Sequence, residues 1–173
     1  MNIRHERPSD VRARETLLDE AFGDTRHRKS SQRLRDGRLP AEGLSFIAAE
    51  GRRVLGTARL WHATCASGQL ALLLGPVAVA ASSRNRGIGA TLVRRAIEEA
   101  QRLGHGAIIL VGDAPYYGRF GFSAEKTGRL RLPGPFERHR LLALELTPGA
   151  LDCAHGLIRA AGQPIAQPAA AAA

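Results

Sequence analysis

Seven residues in "SSRNRGIGATLVRRAIEEA", namely Arg84, Asn85, Arg86, Gly87, Ile88, Gly89 and Ala90, lie where a strand-like run gives way to an amphipathic helix pattern. A helix start carries unpaired backbone N–H groups and the positive end of the helix dipole, so it accepts anions. Glycine at 87 and 89 removes side chains that would hold a phosphate away, while Arg84 and Arg86 add charge beside it. A diphosphate is the guest that suits such a turn. Two familiar phosphate loops do not fit: G-x-x-x-x-G-K-[ST] needs a lysine, and none is near; G-x-G-x-x-G needs glycine where Leu92 stands. What remains is R-x-x-G-x-G, which taken alone is also compatible with an ordinary glycine-started helix.

Other reactive side chains form no complete pattern. His62-x-x-Cys65 and Cys153-x-His155 supply metal-type ligands but no four-ligand set, so no metal is expected. There is no G-x-S-x-G elbow, and Cys65 has no partner nearby to activate it as a nucleophile. Cys65 and Cys153 are expected as free thiols. The start "MNIRHERPSD" has no apolar stretch after its charges, and no run approaches ~18 apolar residues, so the cytoplasm is the expected location and no membrane is expected as a partner.

The formal charge is +9, with only Lys29 and Lys126 as lysines among the 25 basic residues. Such a surface suits anionic partners. The arginines are spread along the chain and aromatics make up only 5%, which leaves few stacking platforms and disfavours nucleic acid as the principal ligand.

The elements that must hold the turn are legible from periodicity. Apolar residues at helical spacing after Pro8-Ser9-Asp10 predict a helix over Val11 to Phe22. A second helix is expected around Ser30 to Arg38. Three strands at about 44–50, 53–63 and 69–80 are joined by short turns and so run antiparallel. Leu92, Val93, Ala96, Ile97, Ala100 and Leu103 mark the core face of a helix from about 87 to 103. "AIILVGD" is a buried strand completing a parallel crossover. A short helix in "APYYGRFGF" ending at Gly121 and a late strand from Arg140 to Thr147 follow. Past Ala150 the signal fades, and "QPIAQPAAAAA" reads as a frayed tail.

"LGPVAVAASSRNRGIGATLVRRAIEEA", "ILVGDAPYYGRFGF" and "LRLPGPFERHRLLALEL" together resemble the GNAT superfamily of acyl-CoA N-acyltransferases, within a subgroup of N-acetyltransferases of mostly unassigned substrate. The resemblance covers about Ile3 to Ala150. It implies an α/β (α+β) fold: a mixed sheet of six to seven strands, splayed between its fourth strand, ending near 80, and its fifth at Ile108 to Val111, with helices on both faces. The domain spans 1–150, with 151–173 as an extension.

The resemblance also implies acetyl-CoA as cosubstrate. Arg84 opens the pyrophosphate loop, and Arg86, Gly87, Ile88 and Gly89 fall where backbone N–H groups face the phosphates. Asn85 replaces the family's usual glycine; asparagine tolerates left-handed backbone. The stretch Val77, Ala78, Val79 would supply a backbone donor for the carbonyl oxygen and pair with the pantetheine arm. Tyr117 matches the general acid for the departing thiolate, and Tyr116 would line the substrate pocket or pack. Glu50 and His62 are the candidate bases, His62 by its intrinsic pKa near 6.5; proton loss through water is the alternative. The acceptor is a small-molecule or protein amine. A homodimer is compatible with this size, although no exposed apolar stripe marks an interface. Two alternatives stay open: a noncatalytic acyl-CoA sensor on the same scaffold, and a basic nucleic-acid-associated protein.

Overall fold

The computed structural model describes residues 1–166. Along the chain run β1 (Asn2–His5), α1 (Val11–Phe22), β2 (Ser45–Glu50), β3 (Arg53–Thr64), β4 (Leu70–Leu74), β5 (Ala78–Val79), α2 (Ile88–Arg102), β6 (Ala107–Val111), α3 (Ala114–Gly118), β7 (Leu130–Arg131), β8 (Leu141–Glu145), β9 (Gly156–Leu157) and β10 (Arg159–Ala160). Strands order β1-β2-β3-β4-β6-β8, with β5 and β10 also on β3; β7 and β9 form a separate parallel pair. The main sheet is mixed, since β4 and β6 run parallel and the other pairs antiparallel.

This sheet has eight strands, more than the six to seven expected. One reason lies at Gly75-Pro76. The run expected as one strand over 69–80 breaks there into β4 and β5, because Pro76 has no N–H for a ladder. Gly75 still donates to Arg59 O at 2.8 Å, and a Cβ at Gly75 would sit 2.3 Å from the Trp61 ring, so this approach requires glycine. The other reason is β10, from beyond residue 150, which pairs antiparallel with the end of β3.

Helices cover both faces. From α2, Ile88, Leu92, Val93, Ala96 and Ala100 are buried against Phe46, Leu60, Leu72 and Ile108. Each such leucine or isoleucine contributes ~1.5–3 kcal/mol by leaving water. The expected Leu103 lies past the last turn and is 41% exposed. On the opposite face Leu73, Ile109 and Leu141 pack with Leu130, Leu132, Leu151 and Ile158, and α1 sets Leu17 and Leu18 on Ala78.

The helix expected at 30–38 is replaced by two 3-10 turns, Asp24–Arg28 and Ser30–Leu34, separated by extended Lys29. Its sequence has only Leu34 to bury, too little to hold an α-helix on the sheet. Beyond Ala150 the chain remains part of the fold: Leu39 donates to Gln163 O and Ile165 to Gly37 O, both at 2.8 Å. The expected frayed stretch therefore begins within the fold, and its remainder, 167–173, lies outside the described residues.

A bidentate pair anchors the start of α1. Arg4 donates to both Asp10 carboxylate oxygens at 2.6 and 2.8 Å, and the Arg7 N–H donates to the same group at 2.8 Å. Hydrogen bonding from Arg4 is the main cause that lowers Asp10 from 3.8 to about 2. The folded value lies below the unfolded one, so this stabilisation is present above about pH 4 and lost as pH falls through about 2. Asp10→Asn is expected to cost about 1 kcal/mol at pH 7 and to flatten the acid dependence between pH 4 and 2, read by urea unfolding at a series of pH values.

Candidate active site

The turn before α2 takes its shape from two left-handed residues. Gly87 has φ +73° and Asn85 has φ +64°, the latter being the one non-glycine residue at positive φ among the described residues. No side chain caps α2. The amides of residues 85–90 donate to no acceptor among the described residues, whereas the next, Thr91, donates to Gly87 O at 3.0 Å. Free amides at the positive end of a fifteen-residue helix form an anion-binding surface. Asn85→Ala is expected to cost about 1 kcal/mol, because alanine lacks asparagine's tolerance of this conformation, with Asn85→Gly no less stable than the parent; chemical denaturation reads both.

Arg84, Asn85, Gly87, Gly89, Val79 and Arg119 border a cavity of about 470 Å³ over this turn. Tyr116 closes one side: its hydroxyl would lie 3.1 Å from a Cβ added at Gly89. Arg119 stacks on the Tyr116 ring at 4.3 Å. Ile88, the first residue of α2, turns its side chain into the core and offers the site only its backbone. Arg86 leans outward to Glu50 at 3.3 Å.

From this turn a trough runs along β5. It is bordered next by Val77, Ala78, Val79, Gly89, Tyr116 and Tyr117, and then by Phe22, Pro76, Val77, Gly112 and Tyr117. The trough exists because the sheet splits. β4 and β6 pair only at Leu72 with Ile108 and Leu73 with Ile109, and the chain past Pro76 returns to β3, pairing Ala78 with Thr57. Ala80 donates to Leu55 O at 2.8 Å. By the two-residue alternation of an antiparallel ladder Ala78 also faces β3, so the amides of Val77 and Val79 turn toward the gap.

Tyr117 stands where the trough enters the gap. Its ring packs edge-on to Phe122 and to Tyr116, at centroid distances of 5.9 and 4.9 Å. A Cβ at Gly112 would fall 2.3 Å from the ring, so glycine there admits the tyrosine. Burial, with a smaller contribution from Tyr116, pushes the phenol up to about 12 against the opposing pull of Arg140. The hydroxyl therefore stays a donor at physiological pH.

The structure brings Val77, Ala78, Val79, Arg84, Asn85, Gly87, Gly89, Ala90 and Tyr117 to one trough. Glu50 and His62 are not among its borders. Glu50, at the exposed end of β2, is held by Arg86 and by the Met1 amino group at 3.7 Å. His62 lies toward the far end of β3, its ring tilted against that of His105 at 5.5 Å. Tyr116 sits on the turn side of Tyr117 rather than in the far pocket. Arg119, Gly112, Phe22, Arg35 and Arg140 also border the trough and were not singled out from sequence. Arg119 and Gly112 lie close to the tyrosines in sequence; Phe22 ends the helix predicted over 11–22, Arg140 opens the predicted late strand, and Arg35 comes from a segment without periodicity. Among the described residues no group of three His, Cys, Asp or Glu could hold a metal, and no helix is long and apolar enough to cross a membrane. Cys65 is buried and Cys153 exposed, both as free thiols.

Known proteins share this fold. Residues 11–122 match the acetyltransferase (GNAT) family model. The chain is 30% identical over 147 residues to the uncharacterized N-acetyltransferase YhbS of Escherichia coli (strain K12), covering 82% of this chain and 87% of that protein. The crystal structure of Escherichia coli YhbS in complex with CoA superposes with a TM-score of 0.78 at 26% identity, covering 92% of this chain and 88% of that one. A GNAT acetyltransferase of Brucella melitensis in complex with acetyl-CoA gives 0.65 at 26% identity, covering 85% and 88%.

Proposed function

Since the chain belongs to the GNAT acetyltransferase family, we propose that it moves an acetyl group from acetyl-CoA to a primary amine by direct attack within a ternary complex. One observation carries the reading: the free amides at 85–90, the inward amides of β5 and the Tyr117 hydroxyl follow one another along a single trough. Solved relatives bound to CoA and acetyl-CoA support the choice of cosubstrate.

In this reading the turn from Arg84 to Ala90 holds the diphosphate, with Arg84 and Arg119 adding charge. The pantetheine arm lies in the split like an added strand, exchanging hydrogen bonds with Val77 and Val79. One of those amides then faces the thioester oxygen, where a preplaced donor is worth ~3 kcal/mol as charge develops. Tyr117 donates to the departing sulfur.

No dedicated base is assigned. Lys29, Arg35 and Arg140 around the acceptor end favour a neutral amine over an ammonium, and the proton leaves to solvent. Thiol release from acetyl-CoA over a panel of amines tests the activity. Turnover with one acceptor class supports it; tight acetyl-CoA binding without turnover on any amine makes the protein an acyl-CoA sensor instead.

A further inference from the structure

Behind Pro76 lies positive charge that the turn and the split do not use. Arg35 and Pro76 border the acceptor end of the trough and also a second cavity of about 270 Å³, which Thr57, Arg59 and Trp61 line as well. Arg35 and Arg59 come from different parts of the chain, yet both stack on Trp61, with guanidinium carbons 5.3 and 5.0 Å from its ring.

Nearby carboxylates are already committed. Glu15 accepts from Arg14 and Arg26, Asp36 from Gln32, and Glu6 is shared by Arg14 and Arg59. Arg35 forms no ion pair among the described residues; its hydrogen bond is Nε to Ser31 O at 3.4 Å. Thr57 Oγ1 is buried with no hydrogen-bond partner among those residues, while Arg59 Nε lies 3.3 Å from Glu6 Oε2 without hydrogen-bond geometry. A buried unmet hydroxyl is costly and points to a ligand that accepts from it. Burial pushes Arg35 down to about 10; Asp36 opposes this, and Arg26 and Arg59 add to it, as expected where cations outnumber anions.

We propose that the acceptor is a small primary amine that also carries an oxyanion, a carboxylate or phosphate, seated between Arg35 and Arg59 against Trp61 while its nitrogen reaches past Pro76 to the split. Planar guanidinium forks suit such a group, and the unpartnered Thr57 hydroxyl supplies a further donor. The substrate assignment rests on the acetyltransferase reading; the anion seat itself does not. In the transfer the amine nitrogen bonds to the acetyl carbon as the carbon–sulfur bond breaks. Sulfur keeps the electron pair and ends as thiol with one proton, the proton lost by nitrogen balances it, and the oxyanion is unchanged. A polyamine would be repelled by the same cations.

Trp61, the one tryptophan of the chain, reports on the seat directly. With the turn saturated by CoA, 4-aminobutyrate, phosphoethanolamine and n-butylamine are titrated at constant ionic strength while Trp61 emission is followed. The expected result is a saturable change with one or both anionic amines, identifying carboxylate or phosphate, and none with n-butylamine. Arg35→Gln and Arg59→Gln, with folding verified by CoA binding, should weaken it 10- to 100-fold. An equal response to n-butylamine, no response to either anionic amine, or a response that survives both substitutions overturns the seat. In parallel acetyl-transfer assays, kcat/KM is expected to favour the preferred anionic amine over n-butylamine by at least about 10-fold, and Arg35→Gln to collapse the ratio toward one through KM. Saturable binding without any transfer overturns the acetyltransferase reading and keeps the seat; preferred transfer to n-butylamine or spermidine overturns the substrate class alone.

Discussion

Tyr117→Phe is expected to lower kcat by about 100-fold or more while the dissociation constant for acetyl-CoA stays within about twofold. The substitution keeps the ring that fills the space over Gly112 and packs on Phe122. It removes only the hydroxyl. A phenol held at about 12 does not surrender its proton ahead of a thiolate whose reference value lies near 8.5, so it acts by hydrogen-bonding to sulfur as charge builds there. The sign of the pH dependence follows. Burial disfavours the phenolate, so the donor form persists well above pH 10, and kcat/KM should rise as the amine loses its proton, with no fall from Tyr117 below about pH 10. Steady-state profiles for parent and variant from pH 6 to 10 check both parts; full activity of Tyr117→Phe across that range removes the assigned donor.

Gly89→Val is expected to raise the dissociation constant for CoA by about 100-fold. A Cβ there would stand 3.1 Å from the Tyr116 hydroxyl and 3.5 Å from a Val79 methyl, and the branched side chain adds two carbons beyond it. Tyr116 must withdraw, or the isopropyl group covers the amides. Charge-assisted hydrogen bonds are worth roughly 1.5–3 kcal/mol each, so losing one or two gives the stated effect. Calorimetric titration with CoA reads it, and thermal unfolding verifies that α2 remains in place. Unchanged affinity would move the diphosphate to another part of the surface.

The parts of the site legible in sequence are those fixed by backbone rules. Glycine spacing before a strongly periodic helix located the turn, and asparagine's tolerance of positive φ matched Asn85. The proline after Gly75 marked the interrupted pairing, although not the second strand it creates on β3. The acceptor side was illegible for a physical reason. Lys29 and Arg35 stand in 3-10 turns and loops whose path is set by packing on the sheet, and a lone arginine in an arginine-rich chain carries no periodic signal. Glu50 and His62 were expected near the acceptor cleft as residues close to the ends of the second and third strands. The sheet register instead puts Glu50 beside Arg86 and His62 beside His105. Past residue 150, short strands β9 and β10 are too brief to show alternation; β10 forms alongside the end of β3, and β9 only as the partner of β7.

A crystal structure with acetyl-CoA tests the central claim most directly. The diphosphate oxygens should lie about 3 Å from amides of residues 86–89, the pantetheine arm beside Val77 and Val79, and the sulfur within hydrogen-bond reach of the Tyr117 hydroxyl. A diphosphate held elsewhere, with the amides before α2 covered by side chains, contradicts the account.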